Sequence, residues 1–162
     1  MTAAALRSEP HEDPNAIATL VDLVHEVLQA SLRELHPTLA KEGITMGQFW
    51  AIRAISSLEA ASVSTVARYL SVSAPTMCGS IDMLEAAGLV RRHRSERDRR
   101  SVELSLTPRG RKVEERVWRE IARVMTDAGR GLDPTDVDAA VRVFHQVAHR
   151  LGSDSTVRPE VP

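Results

Sequence analysis

The sequence predicts a mainly α-helical fold carrying one small β-hairpin. Three observations point there. Apolar residues recur at three- and four-residue steps over most of the chain, residues 101–106 alternate with period two, and capping residues stand ahead of the apolar runs. The length of 162 residues allows one compact domain, or a small domain with helical extensions, and excludes two large ones. With 43% hydrophobic and 27% charged residues, the chain can build a sizeable core, and scarce aromatics leave Leu, Val, Ile and Ala to fill it. The lone Cys78 excludes internal disulfides and multi-cysteine zinc sites, which suits a reducing cytoplasm. No apolar run approaches the roughly 18 residues of a spanning helix, and the first residues lack the apolar stretch of a signal peptide. A protein neither inserted in a membrane nor visibly exported is expected.

Taken in order, residues 1–13 are polar and aperiodic and read as a flexible tail. Asp13-Pro14 opens a long amphipathic helix, with Ile17, Leu20, Val21, Val24, Val27, Leu28, Leu32 and Leu35 on its stripe and a perturbation expected near Pro37. Thr45 and Gln48 have capping-box spacing ahead of a second helix that turns Phe49, Ile52, Ile55 and Leu58 inward. Ser62 caps a short third helix, Ser71-Val72-Ser73 breaks it, and a fourth helix follows through Leu84 to a stop at Gly88. Two short helices so joined form a candidate helix-turn-helix. On the fourth helix Met77, Ile81 and Leu84 share one face, while Pro75, Thr76, Gly79 and Met83 look away from it.

The period then changes. Val102, Leu104 and Leu106 alternate with Ser101, Glu103 and Ser105, and Leu89 and Val90 begin the partner strand, so the connection is expected among His93 to Arg99. A hairpin following a helix-turn-helix is a wing. Thr107-Pro108 opens a fifth helix with Val113, Val117, Ile121 and Val124 on one stripe. Asp133-Pro134 opens a sixth, with Val137, Val141, Phe144, Ala148 and Leu151 expected to be buried, and the last residues read as a tail.

The formal net charge of −1 conceals an asymmetry: residues 1–90 carry −5, residues 91–123 carry +6, and the remainder −2. Six arginines in RRHRSERDRR, residues 91–100, face only Glu96 and Asp98. Such concentration suits an anionic partner met at one place.

The stretches ITMGQFWAI, VARYLSVSAPTMCGSIDMLEAAGLVRR and DRRSVELSLTPRG, in this order and spacing, resemble the MarR family of winged helix-turn-helix transcription regulators. The resemblance is closest from Ile44 to Gly110 and spans about residues 15–151. It implies a flexible tail over 1–13, a helical dimerisation region over 14–42 and 108–151, a DNA-binding winged domain over 44–107 and a C-terminal tail over 152–162. It further implies a homodimer presenting two winged domains to a pseudo-palindromic operator on double-stranded DNA. Such a regulator, most often a repressor, is released by a small-molecule effector; no cofactor, metal or membrane is implied.

Residue by residue, the resemblance places Ser73, Thr76 and Met77 near the start of the recognition helix, where they reach phosphates or base edges. Arg100 matches a wing arginine that enters or flanks the minor groove, with Asp98 orienting it through a charge-assisted hydrogen bond. Arg94, Arg97 and Arg99 add phosphate attraction. Gly79 stands where many members carry an arginine, so either the wing and DNA shape do most of the reading, the backbone approaches the duplex closely, or DNA binding is weakened. Phe49, Trp50 and Trp118 are candidates for an effector pocket between the dimer helices and the winged domain; the competing expectation makes Phe49 core and the tryptophans seam residues. Cys78 reads as a small half-buried filler. His145 and His149 are one helical turn apart, but two ligands are too few for a metal.

A reading from another class, motivated by Gly79 and the near-neutral total charge, is a winged-helix protein-interaction module with weak or altered DNA binding. An enzyme is disfavoured, since the sequence has no phosphate-cradling glycine loop, histidine-rich metal motif or nucleophile with an assignable base.

Overall fold

The computed structural model describes residues 14–95 and 101–152. The elements run α1 (Pro14–Glu42), α2 (Met46–Ser57), α3 (Val63–Tyr69), α4 (Ala74–Ala86), β1 (Val90–Arg94), β2 (Val102–Leu106), α5 (Pro108–Ala128) and α6 (Pro134–Arg150). The expected tails lie outside the described residues, apart from Gly152.

Local chemistry sets the helix starts. Thr45 Oγ1 accepts from the Gln48 amide while the Gln48 side chain accepts from the Thr45 amide, a reciprocal box that satisfies two otherwise orphaned donors. Ser62 and Thr65 repeat the arrangement at α3. Thr107 and Asp133 cap α5 and α6, each followed by proline. The ends are set as locally. Gly88 takes φ +68° after α4, its amide donates to the Glu85 carbonyl, and the Leu89 amide reaches the Leu84 carbonyl, a Schellman closure that turns the chain into the wing.

Two expectations of continuity change. α1 runs through Pro37 to Glu42, because Leu35 and Leu39 on either side are buried and their packing carries the helix past the missing amide. The wing ladder pairs Val90 with Leu106 through Arg94 with Val102, and the Ser95 amide donates to the Ser101 carbonyl. His93 and Arg94 therefore belong to a strand rather than to the connection, and Leu89 belongs to the preceding turn.

The core joins α2, α3, α4, the wing base and the first half of α5 to the C-terminal end of α1. Phe49, Ile52, Val66, Ile81, Leu84, Leu89, Val113 and Val117 are fully enclosed there. The Leu104 amide donates to the Ala61 carbonyl at 2.7 Å, tying the wing to the segment before α3. A two-stranded hairpin is marginal by itself, and this bond with buried Leu104 and Leu106 anchors it.

Gly110 explains why a small residue follows the α5 cap. A Cβ there would lie 2.0 Å from the Leu89 carbonyl oxygen. Thr107 seals the same junction, its hydroxyl donating to the Gly88 carbonyl at 2.7 Å and its amide to Leu89 at 3.0 Å.

The burial expected for α6 does not occur within one chain. Val137, Val141, Phe144 and Leu151 are exposed, Phe144 at 48%, and among the described residues α6 buries none of its own. The N-terminal half of α1 is similar, with Val21, Leu23, Val27 and Leu28 exposed, and Leu32 beyond it is exposed as well. The winged part is too small to cover both stripes. No helix among the described residues is long and apolar enough to cross a membrane.

Candidate nucleic-acid interface

The helix-turn-helix is built by a break that its sequence forces. After α3, Ser71 adopts φ +54° and the Val72 amide reaches back to the Ala67 carbonyl, so the same closure glycine makes elsewhere is made here by a serine. Ser73 then caps α4: its hydroxyl accepts from the Thr76 amide at 3.3 Å and lies 2.7 Å from the Thr76 hydroxyl. Both side chains are exposed at the start of α4 and share a hydrogen bond, so they form one small polar unit.

Met77 corrects the sequence reading. At 3% exposure it packs in the core beside Ile81 and Leu84, and a side chain enclosed there does not reach a duplex. Its spacing of four and seven residues from those two was the signal. Gly79 does lie on the exposed face, and a Cβ there would meet nothing within 4 Å. The protein's own packing therefore does not demand glycine. Cys78 is exposed rather than half-buried, its Sγ 4.0 Å from Asp82 Oδ2.

On the wing, Arg94 is exposed at the end of β1, and Arg91 is exposed with Nε donating to the Ser105 hydroxyl at 2.9 Å. Arg97, Asp98, Arg99 and Arg100 lie outside the described residues, and the expected pairing of Asp98 with Arg100 lies there too.

The contact that sequence reasoning missed is Arg92. Its guanidinium bonds Asp82 Oδ1 at 2.7 Å and Glu85 Oε2 at 2.5 Å, and its amide donates to Glu85 Oε1 at 3.2 Å. The hydrogen bond that it donates to Asp82 is the largest influence and holds this guanidinium above its ordinary pKa despite partial burial. Strand parity could have found it. Starting from buried Val90, period two places Arg92 on the inward face, where an arginine needs an acidic partner.

The three aromatics proposed for an effector pocket separate. Phe49 is fully enclosed, which makes it core. Trp50 is exposed beside it, ring centroids 5.4 Å apart. Trp118 is half-buried, and the Arg53 guanidinium stacks 4.3 Å above its ring while bonding Glu114 at 3.1 Å. Burial raises the Glu114 carboxyl above its ordinary value, with Ser56 and Arg53 opposing. A groove of about 620 Å³ lies instead along α6, lined by Leu132, Val137, Val141, Phe144 and His145 among others, and touches none of the three. His145 and His149 are exposed, and among the described residues no group of three or more His, Cys, Asp or Glu is placed to hold a metal ion.

Comparison with known proteins follows the same outline. A model of the MarR family matches residues 42–101. An organic hydroperoxide resistance transcriptional regulator of Bacillus subtilis is 34% identical over 94 residues, which are 56% of this chain and 64% of that protein. The match thus spans less than two thirds of that relative's length. Among solved structures, a MarR family protein from Bacillus stearothermophilus superposes with a TM-score of 0.75 at 18% identity, covering 86% of this chain and 98% of the other. Staphylococcus aureus MarR in complex with salicylate and kanamycin gives 0.75 at 19% identity, over 86% and 95%. At such identities the structural likeness is one of fold.

Proposed function

We propose that this chain, whose residues 42–101 match a model of the MarR family, is a homodimeric, sequence-specific DNA-binding transcription regulator, a repressor released by a small-molecule effector. The observation that carries the reading is the juxtaposition of an exposed α4 face, opening on Ser73 and Thr76, with the exposed Arg91 and Arg94 of the adjoining wing. A helix flanked by a basic hairpin suits a major groove and its bordering phosphates. Ser73, Thr76 and the surface at Gly79 meet the groove. Arg94, with Arg97, Arg99 and Arg100, supplies the positive charge, and Asp98 orients Arg100.

Dimerisation is supported by the uncovered apolar faces of α1 and α6, which a second copy would bury. Two recognition helices would then meet successive major grooves roughly 34 Å apart. An effector acts by changing that spacing. The salicylate-bound Staphylococcus aureus protein supports the effector reading by analogy, and Trp50 and Trp118 are retained as candidates for the pocket. The protein works in the cytoplasm, by binding rather than catalysis.

The test is a salt titration of binding to the DNA upstream of its own gene, beside a scrambled duplex of equal length. Specific binding that falls steeply with salt is expected. Arg100→Ala should weaken it about tenfold or more with the dimer intact. Equal, weak and salt-insensitive binding to both duplexes would overturn the regulator in favour of a protein-interaction module.

A further inference from the structure

We propose that Arg92 is a positioning residue for DNA binding, acting by neutralising the carboxylates of the recognition helix rather than by touching the duplex. The inference rests on the DNA-binding reading above. α4 holds no lysine or arginine in its 13 residues, yet it carries Asp82 and Glu85. A helix so charged is repelled by the phosphates flanking any groove it enters.

The geometry separates screening from contact. The Arg92 side chain is 27% exposed, less than those of Asp82 at 60% and Glu85 at 39%, so the carboxylates stand outside and the guanidinium behind them. Both ends of its fork are occupied, and its backbone amide engages Glu85 as well. A guanidinium bound in this way has few donors left for a phosphate. Its effect passes through the two acids it cancels. Arg91 and Arg94, on the same strand, are exposed, and Arg91 bonds the Ser105 hydroxyl. Burial thus divides the described arginines of β1: Arg92 is half-buried against the helix, while Arg91, on the other face, and Arg94, at the strand's end, are exposed.

The experiment compares the full-length unaltered protein with Arg92→Met, the pair Asp82→Asn with Glu85→Gln, and all three substitutions together. Each is titrated over a salt series against the duplex upstream of its own gene, with melting and dimer state measured alongside. Arg92→Met should bind about tenfold or more weakly at low salt, and the deficit should shrink as salt screens the exposed acids. The triple variant should return to within about threefold of the unaltered protein, although the ion pairs are gone. The double variant, which keeps Arg92, should bind at least as tightly as the unaltered protein.

A triple variant that stays as weak as Arg92→Met while folded and dimeric would overturn the proposal, since Arg92 would then touch DNA or hold the wing mechanically. Unchanged binding by Arg92→Met, or weaker binding by the double variant, would overturn it too. If the unaltered protein binds no DNA, the regulator reading falls and this inference with it; every other failure leaves that reading standing.

Discussion

The winged part, from α2 to the first turns of α5, and the helical arms, the N-terminal half of α1 with α6, carry similar amphipathic patterns. In the first, the stripe closes on itself: Phe49, Ile52, Ile81, Leu84 and Val113 leave no surface for a partner. In the second, Val21, Val27, Val141 and Phe144 remain in the open. Periodicity tells which face of a helix is apolar, and the amount of chain nearby decides whether that face finds cover.

The largest expected effect breaks the closed side. Gly110→Ala sets a methyl group against the Leu89 carbonyl oxygen, which lies in backbone and cannot swing aside. A loss of about 3 kcal/mol or more is expected, or roughly 10 °C in melting temperature for a chain of this size. An unchanged melt would mean that α5 does not rest on the wing as described.

The next effect sharpens the open side. On a solvent-facing helix, Phe144→Asp should cost less than about 0.5 kcal/mol; on a face covered by a second copy it should cost about 2–4 kcal/mol and shift the protein to monomer. Sedimentation with a melt separates the two, and the second result is expected. A stable, unchanged assembly would remove α6 from the interface.

The smallest effect returns to the closed side. Ser71 holds a left-handed conformation that costs a side chain more than it costs glycine. Ser71→Gly should leave stability level or raise it by about 0.5–1 kcal/mol, read by denaturant midpoint. A clear loss would show that the serine hydroxyl has a partner of its own.

What was legible in the sequence follows the same division. The caps at Thr45, Ser62, Thr107 and Asp133 depend on atoms within a few residues and could be read directly. Phe49 and Met77 were legible as core from their spacing; assigning them to a pocket and to DNA set resemblance above periodicity. The exposure of α6 was legible only as more apolar stripe on the first and last helices than a small winged part can cover; which residues lie open in one chain depends on a surface outside it. The bond from Arg92 to Asp82 and Glu85 crosses from strand to helix, and only strand parity hints at it. The proposed DNA contacts of the wing at Arg97, Arg99 and Arg100 rest on resemblance.

The junction at Leu89 also sets a length scale. There the end of α4, the first residue before β1 and the start of α5 are joined by Thr107, by Gly110 and by Arg109, which donates to the Ala87 carbonyl at 2.8 Å. So fastened, α5 and α4 are expected to turn together, which would make α5 a handle on the proposed recognition helix. Thirteen residues make a lever of roughly 20 Å. A tilt of about 10° at the handle swings the far tip by roughly 3.5 Å, close to the rise of one base pair.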